Sequence, residues 1–167
     1  IFESHEYWRA FSSILCFGSI NSHTAFQIFF FIRYLSYVES SYFVGQPGDF
    51  LVFIFFGWIW IWVYAYFSPT LFLSHIFDSY VTYYFYKRSP DIQVFVIGFM
   101  ALASYIPIIM LVAHYFLSGI QAVIRELVGY SAAHLFFFIK DVIGLRYDLR
   151  ILCVPQWAND GIKKLLS

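Results

Sequence analysis

Charge is what this chain has least of. Its 167 residues include ten Lys or Arg and ten Asp or Glu, 12% of the total, against 61% hydrophobic residues. A water-soluble domain carries about a quarter charged residues, so these few are too sparse to coat a globule, and a free soluble protein is excluded. The charges sum to zero, which argues against nucleic acid or an anionic surface as the main partner. Cysteine is also scarce. Two residues, Cys16 and Cys153, are too few and too far apart for a disulfide framework or a cysteine-based metal site. The chain lacks internal repeats, a nucleotide-binding glycine loop, a redox-active cysteine pair and a complete catalytic set. It therefore reads as a non-catalytic membrane subunit of a larger assembly, packed against lipid and other subunits.

What is present in abundance is apolar and aromatic surface, 25% of residues being Phe, Trp or Tyr. Residues 50–77 and 92–124 contain no Asp, Glu, Lys or Arg, and each run exceeds the ~20 apolar residues that cross a bilayer. Both are predicted spans. Between them Lys87, Arg88 and Pro90 mark a polar turn. A further helix is predicted over 10–37, whose Ser12, Ser13, Ser19, Asn21, Ser22 and His23 would have to face protein. Over 127–145, Lys140 and Asp141 suit a short span with snorkelling ends or an interfacial helix. Residues 146–167 form a polar tail. The expected fold is an all-α polytopic bundle of three to four spans in a single membrane domain. With four crossings, Lys87, Arg88 and Arg146 share one side and Glu39 and Asp49 lie opposite. The start at Ile1 rather than Met fits a removed targeting segment or an upstream beginning.

Polar residues inside a membrane are functional candidates. His114, Ser118, Gln121 and Arg125 recur at helical spacing, which would place all four on one face of a continuous helix beside Gly119. Three uses of that stripe remain open. His114 can ligate a haem iron, with Arg125 paired to a propionate or a quinone carbonyl. The stripe can line a proton path. It can also be a hydrogen-bonded seam between helices, with Arg125 and Glu126 at the water boundary. His134 can return to a similar depth, whereas His75 and His23 read as packed histidines.

Across His114-Tyr-Phe-Leu-Ser-Gly-Ile-Gln-Ala-Val-Ile-Arg-Glu-Leu-Val-Gly the chain resembles the membrane anchors of succinate dehydrogenase, respiratory complex II. Gly119 and Glu126 carry that likeness, with Val123, Ile124 and Val128 at its apolar positions. The resemblance implies a multi-pass subunit of the mitochondrial inner membrane that docks membrane and soluble partners of a respiratory complex. It implies a haem b or ubiquinone site built from His114, Ser118, Gly119, Gln121, Arg125 and Glu126, with His114 on the iron. His114 and Gln121-Ala122 are also similar to the final helix of ATP synthase subunit a, which would make the chain a proton-translocating component with Arg33 or Arg125 as the essential arginine.

Overall fold

A computed structural model describes residues 22–68, 73–96, 99–147 and 152–166. It is helical throughout apart from one hairpin, as expected of an all-α membrane bundle. Helix α1 spans Ser22–Tyr42, α2 Pro47–Phe67 and α3 Ser74–Arg88. Strands β1 (Gln93–Val96) and β2 (Phe99–Leu102) follow, then α4 (Ile106–Ser118) and α5 (Ile120–Phe137). A π-helical stretch, Phe138–Ile143, prolongs α5 into the short α6 (Gly144–Tyr147), and α7 covers Gln156–Leu166. Residues 10–21 of the predicted first helix lie outside the described residues.

Local chemistry sets most boundaries. Gly45 takes φ 71° in the turn after α1, a left-handed conformation that glycine reaches without Cβ strain. Pro47 opens α2 in the first turn, where its missing N–H is not needed. Ser68 is extended, φ −136° and ψ 89°, as expected of a residue before a proline. The predicted span 50–77 is thus divided, and its last residues already belong to α3.

The predicted span 92–124 is divided too, and this is the larger correction. Its first third is an antiparallel hairpin pairing Gln93 with Leu102 and Val96 with Phe99, favoured by the β-branched and aromatic run Gln93-Val-Phe-Val. Pro107 then opens α4. Gly119 stops it with φ 75° and ψ −176°, a backbone conformation that only glycine occupies readily. Absence of charge identified an apolar segment but not a straight one.

α3 is the hub. Eight of its fifteen residues are buried, including Ile76, Tyr80, Val81 and Tyr84. The Tyr80 ring stacks on Phe53 of α2 with centroids 4.6 Å apart, and its hydroxyl donates to the Phe53 carbonyl at 2.9 Å. Small residues let the neighbours close in. Gly57 lies beneath the Tyr80 ring, and a Cβ on Gly129 of α5 would stand 2.5 Å from the Ile76 carbonyl oxygen. By length and composition two helices qualify as spans, Pro47–Phe67 and Ile120–Ile143. Outward-facing Phe55, Ile59, Val63, Phe116, Leu117 and Leu127 make the surface apolar, which suits lipid contact.

The end of α1, the start of α2, the end of α3 and the π-helical stretch meet at one charged end of the bundle. Lys140 donates to Asp49 at 2.9 Å, and the second Asp49 oxygen accepts the Val154 N–H at 2.7 Å. Arg88 pairs with Asp141, to which the Tyr84 hydroxyl also donates at 3.2 Å. The widened π turn aims the adjacent Lys140 and Asp141 at different helices, α2 and α3. A short span with snorkelling ends or an interfacial helix was expected over 127–145; Lys140 and Asp141 are both paired inward. Asp49, expected opposite Lys87 and Arg88, lies at their end. The tail is not free either, because the Asn159 side chain of α7 accepts the Gly48 N–H at 2.7 Å and donates to the Val154 carbonyl at 3.1 Å.

Candidate functional site

The break at Gly119 dissolves the predicted stripe. His114 and Ser118 end α4, whereas Gln121, Arg125 and Glu126 begin α5, so the helical spacing that aligned them does not apply. Ser118, Gly119 and Gln121 are exposed, and Arg125 is half-buried with no ion pair among the described residues. His114 and Glu126 are brought together. The two helices pack antiparallel about Gly119, and His114 Nδ1 lies 2.7 Å from Glu126 Oε2. The Tyr130 hydroxyl donates to the other Glu126 oxygen at 2.5 Å. Glu126 is thus a buried carboxylate held from both sides, and one ring nitrogen of His114 is committed to it.

A second polar group lies beside it, and the reading of the sequence missed it. His75, Asp78, Ser79, Thr82 and Tyr83 stand at i, i+3, i+4, i+7 and i+8 along α3, one continuous face of a helix. Gln27 of α1 reaches across to it, its Nε2 2.7 Å from His75 Nδ1 and 3.5 Å from Asp78 Oδ2. Thr82 donates to Asp78 at 3.4 Å, and Ser79 to the His75 carbonyl at 2.8 Å. Gln27 Oε1 is buried without a hydrogen-bond partner among the described residues. α3 packs closely on α5 between the two groups, Gly129 lying against Ile76 and Ser79, so together they make one polar region shared by α1, α3, α4 and α5. Farther along, the Tyr83 hydroxyl is 3.1 Å from His134 Nδ1. The available signal was the 3.6-residue recurrence of polar side chains from His75 to Tyr83, hidden by dense tyrosines on the other faces.

Depth gives the cluster its meaning. Asp78 stands ten residues before Arg88, about 15 Å along the helix, and Glu126 stands fifteen before Asp141, about 22 Å. If the ion pairs at the charged end mark one membrane surface, both carboxylates lie inside the hydrocarbon. Among the described residues no three His, Cys, Asp or Glu side chains are grouped as metal ligands. What this arrangement offers is hydrogen-bond donors and acceptors at membrane depth.

The Der1-like family model matches residues 1–156. The chain belongs to the Der1-like family. A derlin-2 homologue of Dictyostelium discoideum is 26% identical over 168 residues, covering 96% of this chain and 65% of that protein. Derlin-2.2 of Arabidopsis thaliana is 27% identical, covering 95% of the chain and 69% of the relative, and mouse Derlin-1 is 29% identical, covering 90% and 61%. The chain thus spans about two thirds of the length of the curated relatives it matches.

Membership of the Der1-like family overturns the respiratory assignment. The chain is not a succinate dehydrogenase anchor or ATP synthase subunit a, its partners are not respiratory subunits, and the mitochondrial inner membrane is not its expected location. The haem b and ubiquinone expectations had two grounds, that likeness and the continuous polar stripe, and the stripe is divided at Gly119. The family match covers nearly the whole chain, whereas the anchor resemblance rested on sixteen residues around Gly119, where short patterns match by chance.

Proposed function

We propose that this chain is a membrane component of endoplasmic-reticulum-associated degradation, acting as a derlin with the degradation machinery of that membrane. The observation that carries it is the Der1-like match across residues 1–156. The polar cluster supplies a physical role. A misfolded polypeptide leaving the organelle must bring backbone amides and polar side chains into hydrocarbon, where each unsatisfied group costs several kcal/mol. The half-buried Gln27, His75, Asp78 and His114 offer partners to such a segment within the bilayer.

Complementation tests this. Expressed in derlin-deficient cells, the chain should fractionate with the endoplasmic reticulum and restore turnover of a misfolded glycoprotein after protein synthesis is blocked. Sedimentation with mitochondria, or turnover no faster than in the deficient cells, would overturn the assignment.

A further inference from the structure

The charged end of the bundle holds Lys87, Arg88, Lys140 and Arg146 alongside Asp49 and Asp141. A pocket of about 760 Å³ opens there between the ends of α3 and α5, lined among the described residues by Lys87, Arg88, Arg146 and Asp141. Arg88 is paired with that acid. Lys87 is exposed and makes no ion pair among the described residues; its Nζ sits 5.8 Å from the centre of the Phe137 ring. Tyr42 and Phe137 give the pocket aromatic walls, and Phe138 and Val142 continue an exposed apolar face along the helix.

We propose that this pocket binds the headgroup phosphate of an anionic glycerophospholipid, with the acyl chains lying along the apolar face of α5. Cations at the rim and apolar side chains below match the two halves of such a lipid. The location agrees. An excess of Lys and Arg marks the cytoplasmic side of a membrane protein, and Lys87, Arg88, Lys140 and Arg146 gather at this end. The cytoplasmic leaflet is also where phosphatidylserine and phosphatidylinositol supply negative charge. Basic pockets between membrane helices on that side are suited to such headgroups. Lys87 would bind the phosphate, with Arg146 adding its charge at the same rim, while Arg88 stays engaged with Asp141 and holds the wall in place.

The test uses the whole chain in nanodiscs of phosphatidylcholine doped with phosphatidylinositol, released gently and weighed by native mass spectrometry. Phosphatidylinositol should be retained in preference to phosphatidylcholine, and Lys87→Gln with Arg146→Gln should lower that preference at least severalfold while the melting temperature holds. Arg125→Gln removes a cation distant from the pocket and should leave the preference unchanged. Equal loss in both variants would reduce the effect to diffuse charge and overturn the site. Displacement by soluble glycerophosphate as efficient as by the whole lipid would also overturn it, since the apolar half would then contribute nothing. If the double variant melts early, Lys87→Gln alone decides, by retaining or losing the preference.

Discussion

Helices α2 and α3 invert the arrangement of a soluble protein. α2, Pro-Gly-Asp-Phe-Leu-Val-Phe-Ile-Phe-Phe-Gly-Trp and onward, is apolar on every face, yet only Gly48, Asp49, Phe53, Gly57 and Ile61 are buried. α3 carries His75, Asp78, Ser79, Thr82, Lys87 and Arg88, yet it sits at the centre of the packing. In lipid the apolar face has no reason to hide, because hydrocarbon is as good a partner as protein. Polar groups are what must find each other. The most buried side chains of α3 are the aromatic and apolar ones that meet α2 and α5, Ile76, Phe77, Tyr80, Val81 and Tyr84, while His75, Asp78, Ser79 and Thr82 are half-buried and hydrogen-bonded beside them.

Substitutions should therefore hurt in proportion to polar pairing and close fit. Asp49→Ala should have the largest effect. It strips Lys140 of its partner and orphans the Val154 N–H, and breaking a buried ion pair costs about 3–5 kcal/mol. Thermal unfolding in detergent would show it as a large drop in melting temperature. Gly129→Val comes next, since its side chain meets the α3 backbone at Ile76 and overpacking costs about 1–3 kcal/mol. Cysteine crosslinking between α3 and α5 should slow as the helices part. Tyr80→Phe removes only the hydroxyl bond to Phe53, about 1 kcal/mol, seen as a modest shift in the same melts. Ile59→Leu on the lipid face of α2, where Ile59 is 58% exposed, should change stability by no more than about 0.5 kcal/mol. A lipid-facing change as costly as Asp49→Ala would break the comparison.

The solvent and fold class were legible in the sequence because scarcity of charge is a property of the whole chain. Element boundaries were less so. Counting charge-free residues joined the hairpin at 93–102 to α4 and α5, since a bend at Gly119 changes no hydropathy. The candidate site suffered from the same straight-helix assumption. It aligned His114 with Arg125, whereas the chain folds back and gives His114 to Glu126, one residue further on. Lys87, Arg88 and Pro90 were read as a polar turn between two spans, although Lys87 and Arg88 end a helix whose polar face begins at His75. The family was not legible from the segment around Gly119, since its likeness is spread over residues 1–156 at low identity and concentrated in no short motif.

The central claim is that the intramembrane polar cluster serves substrate passage rather than stability. Its most direct measurement pairs the melting temperature with substrate turnover for Gln27→Leu combined with Asp78→Leu. Unlike Asp49→Ala, this pair of changes removes both partners of the Gln27–Asp78 bond and orphans neither, and replacing paired buried polar groups together by apolar ones of similar volume is often neutral or stabilising. The double variant should melt at or above the parent temperature and reach the endoplasmic reticulum, while a misfolded substrate persists in complemented cells as long as in derlin-deficient ones. Turnover at the parent rate, or collapse of the fold, would contradict the account.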